Sequence, residues 1–135
     1  MTNAELLAEV ERQWRHWAEH LGLQNVWASF EMMKPEEEES LNALTVTQHR
    51  DQYLRAYVNV HTQLDKPSEF PLSRRVLHEV CHVKYRHLDD HAAAHMGKAA
   101  SERFCQLIET ECDDTASIIW RLHQATDCDK TEAKT

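Results

Sequence analysis

Apolar residues recur at Leu6, Val10, Trp14, Trp17 and Leu21, at spacings of three and four that line one side of an α-helix, and Gly22 follows as a stop. The period then changes. Val26, Ala28, Phe30 and Met32 alternate with Trp27, Ser29 and Glu31, the two-residue repeat of a strand with one buried face. Pro35 marks a turn, and the glutamate run at 36–39 is expected at a solvated loop tip, where like charges repel least. A second strand is predicted over about residues 44–49 and a third over about 53–63, where Ala56, Val58, Val60 and Thr62 share a face. Together they predict a small three-stranded antiparallel sheet.

Pro67 and Pro71 punctuate the next loop, and a second helix is expected over about residues 72–87. Gly97 turns the chain back. A last helix is predicted over about 101–125, with Ser101 as its N-cap and Phe104, Leu107, Ile108, Ala116, Ile119 and Trp120 available for packing. Residues from about 126 to 135 are expected to form a flexible tail. The pattern as a whole predicts one α+β domain over residues 1–135: N-terminal helix, sheet, then two helices.

At 135 residues and 41% hydrophobic content, the chain can bury a real core without disulfides. Its formal net charge of −8 disfavours nucleic acid as a partner. Arg74, Arg75, Lys84 and Arg86 form a local basic cluster on the second helix, expected as a solvated face. Cys81, Cys105, Cys112 and Cys128 form no CxxC pair and no disulfide framework, so they are expected to be free thiols. No stretch approaches the length of a membrane span and the N-terminus has no signal-like segment, which predicts a soluble cytoplasmic protein.

The chemistry concentrates in His78-Glu79-Val80-Cys81-His82. Residues four apart lie on one face of a helix, so both imidazoles can converge on one zinc ion, and Glu79 at the edge of that face can act as general base on a metal-bound water. About one chain in twelve of this composition would contain the HExxH pattern by chance, so its surroundings matter. Here Val76, Leu77, Val80, Cys81 and Val83 make an apolar run around it, and polar groups beside a core require partners. Without a metal, His78 and His82 would be ordinary hydrogen-bonding helix residues.

A catalytic zinc takes three protein ligands and leaves one position open. Glu109, on the last helix, is the leading candidate for the third, with Asp113 one turn on as a hydrogen-bond acceptor for a ligating histidine. Glu111 and Glu102 are rivals on the same helix. His91 and His95, before Gly97, offer a histidine alternative, and His87, His91 and His95 together form an i, i+4, i+8 ladder.

His78, Glu79, His82, Glu109 and Asp113 follow the pattern HExxH, then ExxxD on a later helix, and in this the chain resembles the zincin metallopeptidases of the glutamate-ligand group. The segment Glu109-Thr110-Glu111-Cys112-Asp113-Asp114-Thr115-Ala116 is similar to the E-x-x-A-(D/N)-x-F-A segment of compact ImmA/IrrE-like phage and prophage zincins, with Cys112 and Thr115 as departures. A metzincin pattern is excluded by Tyr85 and Leu88, where it needs glycine and histidine. The resemblance implies a minimal zincin-like domain with one Zn2+ on His78, His82 and Glu109, and peptide hydrolysis on a peptide or protein substrate. An edge strand such as 53–63 would pair with the extended substrate; His61, Tyr57 and His123 are candidate proton donors to the oxyanion. Two alternatives stand beside it: a zincin-like zinc-binding protein acting as an interaction or regulatory module without peptidase activity, and a SprT-like protease with a histidine third ligand.

Overall fold

The computed structural model describes residues 1–34, 44–50 and 54–133. The elements run α1 (Asn3–His20), β1 (Trp27–Met32), β2 (Leu44–Arg50), β3 (Leu54–Val60), α2 (Leu72–Lys84), α3 (Arg86–His95) and α4 (Lys98–Ala133). Among the described residues this is an α+β arrangement with four helices, and the chain is divided into two units, Met1–Lys84 and Tyr85–Thr135. No helix among the described residues is long and apolar enough to cross a membrane. The expected turn at Pro35 and the glutamate run at 36–39 lie outside the described residues.

In the first unit, α1 is defined at both ends by local chemistry. Thr2 caps it, its side-chain oxygen accepting from the Glu5 N–H at 3.1 Å, which meets one of the donors that a helix start leaves unpaired. At the other end Gly22 takes φ +72°, the left-handed conformation open to glycine. That lets the Leu23 N–H reach the Ala18 carbonyl at 2.7 Å and the Gly22 N–H reach Glu19 at 3.2 Å, a Schellman closure. Between the caps Leu6, Val10, Trp14, Trp17 and Ala18 are buried, as their spacing requires. On the outer side Glu9 accepts from Arg12 and Gln13, and these bonds, Arg12's first, hold its carboxyl below the usual carboxylate range.

The sheet corrects the antiparallel expectation. Its order is β1-β3-β2: β2 pairs antiparallel with β3, but β1 runs parallel to β3. Alternation of apolar residues reports which face of a strand is buried and says nothing of its neighbours or their direction, which is why the sequence pattern could not distinguish the two topologies. β3 is therefore the central strand. Both its sides are taken, so it is not the edge that an extended peptide could join; its Ala56, Val58 and Val60 are fully buried. The same face of β1 carries Phe30, whose ring meets Trp14 of α1 edge-on at 6.0 Å. The opposite face presents Trp27, Arg55 and Tyr57 as a cluster, with Trp27 half-exposed.

α2 begins directly after Pro71, whose carbonyl accepts from the Arg75 N–H, and packs against α1. The junction is polar as well as apolar. The Trp17 indole N–H donates to both the Ser73 carbonyl and its Oγ, at 3.1 and 3.0 Å, and the Ser73 hydroxyl donates to Gln13 Oε1 at 2.6 Å. The basic cluster is a solvated face only in part: Lys84 is exposed, whereas Arg74 is buried and Arg75 and Arg86 are half-buried. Arg74 is 3% exposed, with its guanidinium 4.2 Å from the Phe70 ring centroid; Arg75 donates to the Leu64 carbonyl at 2.6 Å; Lys84 donates to the Leu21 carbonyl at 3.2 Å. Each spends its charge on tying the helix to neighbouring chain.

In the second unit, the expected continuation of the motif helix to residue 87 is replaced by a break at Tyr85 and a separate helix, α3. The apolar stripe that holds α2 ends at Val83, and among the described side chains of α3 the buried one is Ala92. α3 packs on α4, and the Tyr85 hydroxyl meets Thr115 Oγ1 at 3.3 Å. α4 starts at Lys98, three residues before the predicted N-cap; Ser101 instead sits in its first turn, its N–H donating to the Gly97 carbonyl. The helix continues to Ala133, through the segment expected to be a flexible tail. Ile108, Cys112 and Ala116 form its buried stripe, whereas Leu107, expected in the core, is 62% exposed.

Candidate metal centre

The motif pentapeptide lies wholly within α2, where its three polar side chains and its apolar ones separate onto two sides. Val76, Leu77, Val80, Cys81 and Val83 are buried in the first unit's core, and His78, Glu79 and His82 stand half-buried at its margin. Core packing fixes the helix rotation, and the rotation fixes the histidines. Their rings meet at 5.0 Å between centroids, tilted by 68°, and the Nε2 atoms are 3.2 Å apart.

That separation is informative in itself. Two ligands at the usual Zn–N distance in a tetrahedral site are about 3.3 Å apart, so both Nε2 atoms already stand about one tetrahedral edge from each other. In the absence of a cation, the same contact is a hydrogen bond requiring one ring to donate and the other to accept. A cation takes both lone pairs, which is the arrangement expected of a preformed half-site. The donor set, two imidazoles with a carboxylate beside them, suits zinc better than calcium or magnesium, which favour oxygen.

Cys81, inside the motif, is not part of that donor set. Burial pushes its thiol up to about 11; the Arg74 charge opposes the shift, and Glu79 adds to it. At neutral pH it remains a protonated packing residue, consistent with its burial beside the histidines' helix face.

Glu109 and Asp113 lie one turn apart on α4, the first exposed and the second half-buried. Glu102 and Glu111 are exposed on the same helix; His95 is exposed at the end of α3, and the His91 side chain lies outside the described residues. Among the candidate proton donors, Tyr57 is on the sheet face opposite the one that Phe30 shares with α1, so it points away from the helical layer. His61 follows β3 and accepts from the Gln63 N–H through Nδ1 at 2.9 Å. His123 is half-buried on α4.

Two features were not anticipated. The Trp17-Ser73-Gln13 chain anchors the start of α2 five residues before His78; only the position of Ser73 just after Pro71 hints at it. His16 and His20 form a second i, i+4 pair, on α1, which the spacing alone would have revealed. Comparison of the chain with protein-family models, with curated proteins and with solved structures finds no match.

Proposed function

We propose that the chain is a cytoplasmic zinc-dependent peptidase that hydrolyses peptide bonds in a peptide or protein substrate. His78 and His82 would hold the ion, with Glu109 as its third ligand and Asp113 accepting from the ring of a ligating histidine to fix its tautomer. Zinc bound there would polarise the scissile carbonyl and bring the pKa of a bound water towards neutrality. Glu79 would take that water's proton and deliver it to the departing amine nitrogen, the work of a general base turned general acid. The observation that carries this reading is the 3.2 Å approach of the two Nε2 atoms beside a half-buried glutamate. The resemblance to glutamate-ligand zincins supports Glu109 over Glu111, Glu102, His91 or His95, because only Glu109 has an acidic residue four positions on in that pattern.

The test separates metal from chemistry. Protein purified without a metal-affinity resin is expected to contain one zinc per chain, and Glu79→Gln to keep that zinc and its fold while losing cleavage of a peptide library. Absence of stoichiometric zinc sinks the proposal. Zinc without cleavage in either form would leave a zinc-binding interaction module instead.

A further inference from the structure

We infer that α1 has a second site for a late first-row divalent cation, formed by His16 and His20 and independent of the motif on α2. The two residues are four apart on one helix, their ring centroids lie 4.5 Å apart, and each offers a ring nitrogen within 4.8 Å of the other's. Such a pair can chelate without any change of backbone, because the helix already sets the separation.

Three observations prepare these rings for the task. His20 Nδ1 is 2.9 Å from the His16 carbonyl oxygen, a bond in which Nδ1–H must donate; the lone pair of that imidazole therefore resides on Nε2. Donation from the far ring nitrogen to a backbone carbonyl is also the arrangement that orients histidine ligands in metal sites and raises their basicity. Both rings pack against the buried Trp17, at 4.6 and 5.8 Å between centroids, which limits their rotation. Finally, the pair sits in the last two turns of a helix closed by Gly22, and Trp17 there is bonded to Ser73, so the scaffold beneath it is rigid.

The chemistry of the donors selects the ligand. Two neutral imidazoles favour copper(II) and nickel(II) over zinc and give little purchase to magnesium or calcium. With two protein ligands, the remaining positions go to water or exchangeable groups, so this site exchanges its ion readily, unlike a closed structural site.

Trp17 provides a built-in reporter, since a paramagnetic ion held by its two neighbouring imidazoles quenches indole emission. The full-length chain is titrated with nickel chloride while tryptophan fluorescence is followed, in the natural sequence and in His16→Gln, His20→Gln and His82→Gln. A saturable quench is expected in the natural chain, retained in His82→Gln and largely lost in His16→Gln and His20→Gln. Circular dichroism establishes that each variant is folded; His20 is exposed and His16 half-buried, so neither change empties the core. A second variant, Trp17→Phe, should retain nickel by equilibrium dialysis while losing that part of the quench. A quench undiminished in both His16→Gln and His20→Gln, or one abolished by His82→Gln alone, overturns the assignment. Because His16→Gln, His20→Gln and Trp17→Phe spare the α2 motif, failure here leaves the peptidase proposal standing, and the reverse also holds.

Discussion

α2 and α4 both bear candidate ligands, yet they are built differently. In α2 the apolar stripe is continuous and fully buried, so His78, Glu79 and His82 are fixed by the packing of Val76, Leu77 and Val80 behind them. In α4 the stripe thins to Ile108, Cys112 and Ala116, while Leu107, Ile118 and Leu122 are exposed on a helix of 36 residues. Preorganisation is therefore uneven. One side of the proposed centre is set by the core before any metal arrives, whereas the carboxylate side relies on a helix with much less burial behind it.

The contrast is broken most directly by truncating one leucine on each helix. Leu77→Ala removes a fully buried side chain and is expected to cost about 2–5 kcal/mol, enough to unfold much of the first unit; Leu107→Ala, on an exposed face, should stay within about 0.5 kcal/mol. Urea denaturation followed by circular dichroism measures both. Equal costs would mean that the two helices do not differ in the way their burial indicates.

The next effect is on the metal. Glu109→Ala is expected to lose most of the zinc affinity, Asp113→Asn about 10- to 100-fold, and Glu111→Ala and Glu102→Ala almost nothing, as read by zinc titration against a competing chelator. A large loss at Glu111 or Glu102 with none at Glu109 would move the third ligand and leave the histidine pair in place.

A smaller effect sharpens the picture of α2. Ser73→Ala removes one of the two acceptors of the Trp17 indole N–H and the donor to Gln13, and is expected to cost about 1–2 kcal/mol by the same denaturation measurement. The Ser73 carbonyl still accepts from Trp17, which keeps the loss moderate. No change in stability would show the network to be incidental.

How much of this was legible in the sequence follows from which physical signals are local. Helix α1 was readable from its apolar spacing and from Gly22, because both the face and the left-handed stop are written in adjacent residues. The start of α2 after Pro71 was readable for the same reason, and with it the convergence of His78 and His82. The parallel pairing of β1 with β3 was not, since side-chain alternation is identical in either direction. Nor was the break at Tyr85, where neither proline nor glycine intervenes. The arginines Arg74 and Arg75 misled for a different reason: a long charged side chain can bury its stem and still satisfy its head on a carbonyl or a ring, and composition alone does not show which course it takes.

The place of β3 between its neighbours also dictates an order of assembly. β2 and β3 are joined through residues 51–53 and can pair as a local hairpin, a microsecond-scale event, whereas β1 must find β3 across the whole intervening chain, with Trp27 opposite Arg55. Loop closure opposes the second pairing far more than the first. The rate-limiting step of folding is then expected to have the hairpin formed and β1 still undocked. In stopped-flow experiments Val58→Ala in β3 should chiefly slow refolding, and Phe30→Ala in β1 should chiefly speed unfolding. The reverse assignment would place the parallel pair, rather than the hairpin, in the folding nucleus.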